Sequence, residues 1–208
     1  MFRCEPSIFV QEHGIYETNT PTKTSTAQYD YSFNNTWDPS ITTVTDNATY
    51  TAQFDEVLRN YTVSISVNNP DYGSVDKTEV TNVPYGTNLT SLDNTIDING
   101  TTVTATPSSQ TAQYTYSFTN WTNGTATVEG NLEVTANFDA TTRSYSVSFK
   151  DHDGTELKTE TVEYGHAATA PTDPSWEGHT FTGWDTAFDN IVEDTVVTAQ
   201  YSTNKYLP

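Results

Sequence analysis

Apolar and polar residues alternate with a period of two along much of the chain. In the run YTVSISV at 61–67 the larger apolar residues take every second position, and Thr or Ser fill the places between them. The same alternation recurs at 134–138, 145–149 and 197–201. This period is typical of strands with one buried face, and Thr, Val and Tyr suit a pleated surface. The pattern predicts an all-β protein.

An internal repeat organises these strands. AQYDYSF at 27–33 matches AQYTYSF at 112–118 in six of seven positions, and GHTFTGW at 178–184 is a third, more divergent copy. Each copy contains or precedes a tryptophan, and 17 residues after each tryptophan an aromatic residue closes a strand; the three pairs are Trp37 and Phe54, Trp121 and Phe138, and Trp184 and Tyr201. A spacing kept three times indicates core positions rather than exposed ligand platforms.

Two copies also share a front half, which sets the module boundaries. YTVSISV at 61–67 matches YSVSFKD at 145–151, and each is followed by a glycine turn and then a Tyr-Gly pair. The first copy lacks this half, and residues 1–24 stand in its place. We therefore predict three modules in a tandem, elongated arrangement: 1–60, an attachment segment with an incomplete module; 61–144, a long divergent module; and 145–208.

Helical periodicity is weak throughout the chain. The best place for one short helix is HAATAPTDP, directly after Tyr164-Gly165, and Pro171 and Pro174 would limit it to about two turns. Turn signals such as Asn-Pro, Asp-Gly and Asn-Gly separate the predicted strands. We expect at most one short helix per module.

The last module resembles the Listeria–Bacteroides repeat, also called the internalin B repeat. The matching features are the Y-x-V-x-F start at 145–149, the Asp153-Gly154 turn, the A-P-x-x-P run at 170–174, the E-G-x-x-F-x-G-W stretch at 177–184, and the closing strand at 197–201. The resemblance is divergent over 61–139 and partial over 25–54. It implies a β-grasp-like module of the kind found in extracellular adhesion proteins, and a family that no catalytic residues define.

Charge narrows the range of partners. Lys and Arg number 8 against 27 Asp and Glu, a formal net charge of −19. Such a chain repels nucleic acid phosphates and anionic membranes, so we expect no nucleic acid partner. No apolar run approaches the roughly 18–20 residues of a membrane span, so we expect no membrane insertion. The single cysteine, Cys4, cannot form an internal disulfide.

Candidate chemistry is sparse. Asp151-His152-Asp153-Gly154 resembles a calcium loop only faintly, because the further ligands of an EF-hand are missing, and a hairpin turn is the better interpretation. None of the four histidines forms a pair at zinc-ligand spacing. We predict no catalytic, cofactor or metal site. Trp176 has no counterpart in the other copies, which makes it a candidate contact residue.

Two functional hypotheses follow, both of them non-catalytic. In the first, the chain is a phage decoration or fibre-type protein at the virion surface, because residues 1–24 carry no secretory signal. Its N-terminal segment would dock on a capsid or tail protein, and its modules would contact a host-surface protein or glycan. The docking residues would be Phe2, Ile8, Phe9 and Val10.

In the second hypothesis the chain is a fragment of a secreted bacterial cell-surface adhesin, located outside the cell. For residues 1–24 the alternative to docking is simple packing on the first module, since termini are often tied into a sheet. Self-association of the modules stays open under both hypotheses.

Overall fold

The computed structural model describes residues 20–42 and 48–205, together with the backbone of residues 7–10. These residues contain no helix, and therefore none that could span a membrane. The strands are β1 Ser7–Val10, β2 Tyr29–Asp38, β3 Ala48–Leu58, β4 Asn60–Val67, β5 Gly73–Val75, β6 Glu79–Pro84, β7 Thr90–Leu92, β8 Thr95–Ile98, β9 Thr101–Pro107, β10 Tyr114–Thr122, β11 Leu132–Thr142, β12 Ser144–Lys150, β13 Glu156–Glu163, β14 His179–Trp184 and β15 Thr195–Thr203.

The third module forms one four-stranded sheet in the order β13-β12-β15-β14. β12 pairs antiparallel with β13 and parallel with β15, with Phe149 opposite Val197. Counted within the module, the order is second, first, fourth, third, with the first and fourth strands parallel, as expected for a β-grasp-like unit. The alternation in the sequence is visible here, because Val147, Phe149 and Val197 are all fully buried. They share a core with Val162, Ala168 and Ile191.

The middle module repeats this sheet as β10-β11-β4-β6, with β4 parallel to β11. The predicted topological equivalence of the two modules is confirmed. The extra length of the middle module forms most of a second sheet, in the order β5-β9-β8-β7. Residues of both sheets meet in one core, where Val63 and Ile65 lie in the same cluster as Ile96, Ile98 and Val103.

The first copy has two long antiparallel strands, β2 and β3, and a third strand supplied by residues 7–10. β1 pairs antiparallel with β3. In the other two copies the strands equivalent to β3 are β11 and β15, and each has a parallel strand on this side instead. The backbone of residues 7–10 thus completes the sheet beside β3, as the packing alternative expects, and docking through Ile8, Phe9 and Val10 stays a prediction. Phe2 lies outside the described residues.

The stretch after Gly165, which the sequence offers as the best place for a short helix, contains none. Residues 166–178 run as irregular chain across the third module, held by backbone hydrogen bonds to the segment before β15. Gly165 N donates to Ile191 O, Ile191 N donates to His166 O, and Ala168 N donates to Phe188 O. Because these backbone groups bond to distant chain, they are not available for the local bonds of a helical turn. The fold-class prediction of an all-β chain with at most one short helix per module is confirmed for the described residues.

The chain forms two compact units, and each unit combines segments from more than one of the predicted modules. One contains 1–68, 75–106 and 120–137, and the other contains 69–74, 107–119 and 138–208. The first holds the core around Val63 and the second holds the core around Phe149. Within the described ranges no polar or charged residue is buried, so both cores are apolar. The module boundaries at 60/61 and 144/145 stay predictions from the repeat.

Candidate interaction surface around Trp176

Trp176 lies in the tight turn that leads into β14. His179 N donates to Trp176 O at 3.0 Å, and Gly178 takes the left-handed conformation that closes the turn, with φ of 74°. The Trp176 side chain is 39% exposed, which is high for a residue of this size. The predicted contact residue is therefore at the surface.

Two imidazole rings sandwich the indole ring. His152 stacks on one side with ring centroids 3.8 Å apart, and His179 stacks nearly parallel at 3.4 Å. Both faces of Trp176 are thus covered, and its exposed part lies at the ring edge. A sugar ring cannot stack on this indole while both histidines are in place. Only the edge of the indole is therefore available for contact.

Asp151 and Tyr201 support the stack from beneath. Asp151 Oδ1 lies 3.0 Å from His152 Nδ1 and accepts a hydrogen bond from the Tyr201 hydroxyl at 2.8 Å. The Tyr201 ring meets Trp176 edge-on at 5.5 Å and His152 edge-on at 5.4 Å. The Asp151 carboxylate and the Tyr201 ring together hold the His152 ring against the indole.

The electrostatics of this group follow from its hydrogen bonds. Burial raises the pKa of the Asp151 carboxyl, but hydrogen bonds from His152 and Tyr201 outweigh burial and lower the net pKa below 3.8. Burial and the neighbouring Asp151 carboxylate raise the pKa of Tyr201 to about 12. Asp151 is therefore an anion at neutral pH while Tyr201 keeps its proton, which is the pairing that their hydrogen bond requires.

The 151–154 segment forms the hairpin turn that the sequence favoured over a calcium loop. It joins the antiparallel strands β12 and β13, with Gly154 N donating to Asp151 O at 2.9 Å. Asp153 Oδ1 accepts from Thr155 N at 2.9 Å, so this carboxylate is also engaged within the turn. Across the part of the chain that the structure describes, no group of three His, Cys, Asp or Glu side chains is placed to hold a metal ion.

The repeated tryptophans pack on the sheets, as their spacing predicted. Trp184 meets Phe149 edge-on with ring centroids 5.1 Å apart, and Trp121 packs against the core of the middle module. Both are half-buried rather than fully buried. Their strand-closing partners differ, because Phe138 is fully buried whereas Tyr201 is half-buried, with its hydroxyl on Asp151.

Sequence reasoning identified Trp176 but not the residues around it. His152 was assigned to a turn, His179 to no particular role, and Tyr201 to the core. The available signal was that the module with the unrepeated tryptophan also contains these two histidines and this tyrosine. The sequence does not show that these residues come together.

The sequence of the third module matches a known repeat family. Residues 145–205 match the family model of the Listeria-Bacteroides repeat domain. The match includes the Trp176 turn and all four strands of the module.

Two relatives come from Evansella cellulosilytica. A protein named "Putative membrane protein" is 27% identical in an alignment 190 residues long that covers 82% of this chain and 25% of that protein. A "Putative Gly-rich membrane protein" is 33% identical in an alignment 72 residues long that covers 30% of this chain and 8% of that protein. This chain thus spans a quarter or less of either relative.

Among solved structures, domains 3–4 of Streptococcal High Identity Repeats in Tandem from a cell surface protein align with 69% of this chain and 99% of their own. The TM-score is 0.32 at 17% identity.

Proposed function

We propose that this chain is a set of non-catalytic repeat modules of a bacterial cell-surface protein, which carries or provides a binding surface outside the cell. The observation that carries the proposal is the third module. Its residues 145–205 match a repeat-domain family, and its sheet order recurs in the middle module. Repeated small modules without buried charge serve display and contact better than chemistry, because catalysis draws on polar groups held in a water-excluded site.

Of the two hypotheses raised by the sequence, the relatives support the cell-surface reading. Both are named as membrane proteins, and this chain resembles a small part of each. The high acidity suits a displayed role, since a net charge of −19 keeps the modules solvated and apart from anionic lipid. The virion reading receives no comparable support.

Surface location is tested with antibodies raised against the purified chain. Intact cells of the producing organism are expected to label as strongly as permeabilised cells, and protease added to intact cells is expected to remove the signal. Labelling that requires permeabilisation, or that tracks with purified virus particles, would contradict the proposal.

Within this function, we assign Trp176 to contact with a protein partner through its exposed edge. Its two faces are occupied by His152 and His179, so an edge-on protein contact fits the exposed part of the ring. In a binding assay on fixed host cells, Trp176→Ala is expected to weaken attachment. Leu92→Ala is the matched control, since Leu92 is 74% exposed and lies in the middle module. Equal attachment of the wild type and both variants would indicate a spacer role.

A further inference from the structure

Two arginines occupy equivalent places where one module of the repeat ends and the next begins. The chain has only three arginines, and two of them, Arg59 and Arg143, stand two residues before the tyrosine that opens the next module. These tyrosines are Tyr61 and Tyr145. We call the boundary at Arg59–Tyr61 the first joint and the boundary at Arg143–Tyr145 the second joint.

At the second joint, the turn before β10 faces the segment Arg143–Tyr145. Arg143 Nη1 donates to Thr111 O at 2.8 Å, and the Tyr145 hydroxyl donates to Ala112 O at 2.6 Å. The guanidinium also lies over the Tyr145 ring, 5.0 Å from its centroid. The backbone of Arg143 extends the pairing of β10 with β11 and of β12 with β13. Its N–H donates to Gln113 O, and its carbonyl accepts from Tyr164 N.

At the first joint, the same contacts recur with different residues. Arg59 Nη1 donates to Thr26 O at 2.9 Å, the Tyr61 hydroxyl donates to Ala27 O at 2.5 Å, and the guanidinium lies 5.4 Å from the Tyr61 ring centroid. Arg59 N donates to Gln28 O, and Arg59 O accepts from Tyr85 N. All five contacts of the second joint thus have a counterpart at the first.

We propose that the Arg-x-Tyr segment is a clamp that recognises the Thr-Ala-Gln-Tyr turn of the preceding module and fixes the first strand of the following module against that turn. The turn is the receiving surface, and its partner is the start of a following module that bears Arg and Tyr at this spacing. This inference does not depend on the proposed function, because it concerns how modules join and not where they act.

The chemistry of the clamp accounts for its specificity. The first two carbonyls of each turn point to donors from outside the turn, and a charge-assisted bond from arginine is stronger than a neutral one. The cation–π contact holds each guanidinium beside its tyrosine ring, so the arginine and tyrosine donors lie side by side, facing neighbouring carbonyls. Each clamp lies within one compact unit, as expected for an interface that orders the chain.

The third turn, 176–179, is built differently. Glu177 O, which corresponds to Ala27 O and Ala112 O, lies 3.0 Å from His179 Nδ1 of the same turn. Asn204 takes the arginine position, since its N–H donates to Gly178 O as those of Arg59 and Arg143 do to Gln28 O and Gln113 O. Its side chain accepts from Thr180 Oγ1 at 2.6 Å instead of reaching the turn. This turn does not offer the surface that Arg-x-Tyr recognises.

The test measures the spread of distances across the second joint in the full chain. Cys4→Ser removes the native thiol, and spin labels are attached to cysteines at the exposed positions Ser117 and Thr172, both of which belong to the second compact unit. Tyr145→Phe and the double variant Arg143→Met/Tyr145→Phe are compared with the parent by pulsed electron resonance. Loss of hydrogen bonds of this strength is expected to raise the fraction of molecules with an open joint roughly five- to thirtyfold. We therefore expect a broadened distance distribution, and the double variant to be broader than the single.

Tyr201→Phe is the matched control, since it also removes one tyrosine hydroxyl bond, but within a module. Its distribution is expected to match that of the parent. Protection of the Phe149 and Val197 amides from hydrogen exchange confirms that each variant is folded; if the double variant unfolds, Tyr145→Phe alone decides. A folded Tyr145→Phe variant with the distribution of the parent and of Tyr201→Phe would overturn the clamp.

Discussion

The ring of Phe138 occupies the space that a β-carbon on Gly73 would need. A Cβ built on Gly73 would lie 2.5 Å from both Cε1 and Cζ of Phe138. Phe138 is fully buried within β11, so its ring has little freedom to move away. Glycine at position 73 is thus a packing requirement of the aromatic side chain 65 residues later.

Gly73→Ala is expected to destabilise the protein by about 1–3 kcal/mol, because either the ring or the backbone must shift. Thermal unfolding measures the change. Gly130→Ala is the control, since a Cβ there meets nothing within 4 Å. Equal unfolding midpoints for the two variants would show that the Phe138 ring relaxes easily.

Gly183→Ala tests a different requirement of glycine. Gly183 has φ of 133° and open space where its Cβ would lie, so only backbone conformation restricts this position. It sits at the register shift in the β14–β15 pairing, directly before Trp184. Strain of this kind costs about 1–3 kcal/mol. We expect a lower unfolding midpoint than for Gly130→Ala; an unchanged midpoint would mean that the bulge adjusts.

Trp184→Ala is expected to cost roughly 3 kcal/mol, towards the lower end for large aromatic residues because the ring is only half-buried. The indole packs edge-on against Phe149 and Phe181, and removing it opens one side of the third module's core. Urea unfolding of the full chain measures the loss. Val196→Ala in the neighbouring strand, where the side chain is 52% exposed, is expected to stay within about 0.5 kcal/mol of the wild type. A Trp184→Ala loss no larger than that of Val196→Ala would place the indole outside the core.

Asp151→Asn tests the pH dependence of the Trp176 support. Hydrogen bonds from His152 and Tyr201 lower the folded-state pKa of Asp151, so its contribution to stability is present above pH 3.8 and is lost as the pH falls through the folded-state pKa. An amide at this position does not titrate. The Asp151→Asn variant is therefore expected to be less stable than the wild type at neutral pH, and its stability should fall less steeply below pH 3.8. Unfolding midpoints across this range measure the difference, with the exposed Asp189→Asn as control. Parallel declines for the wild type and Asp151→Asn would rule out the linkage.

The strands of this protein were predictable because their signal is local. Alternation at 61–67 and 145–149 depends on neighbouring residues, and the 17-residue spacing from each tryptophan placed the aromatic residues on the sheets. At the stretch after Gly165 the local signal left the structure open. The small residues after Gly165 allow a helical turn, but the backbone of Ile191 and Phe188 competes for the same hydrogen bonds and prevails.

Sequence alone determined that the chain is a series of β modules and that Trp176 stands apart from the repeated tryptophans. Tertiary structure alone decided the parallel pairing of β12 with β15, the placing of His152 and His179 on the two faces of Trp176, and the contact of Tyr145 with the turn at Ala112. A period of two specifies which face of a strand is buried, but not which strand lies beside it. That choice depends on groups far apart in the chain, whose contacts form only when the modules fold and join.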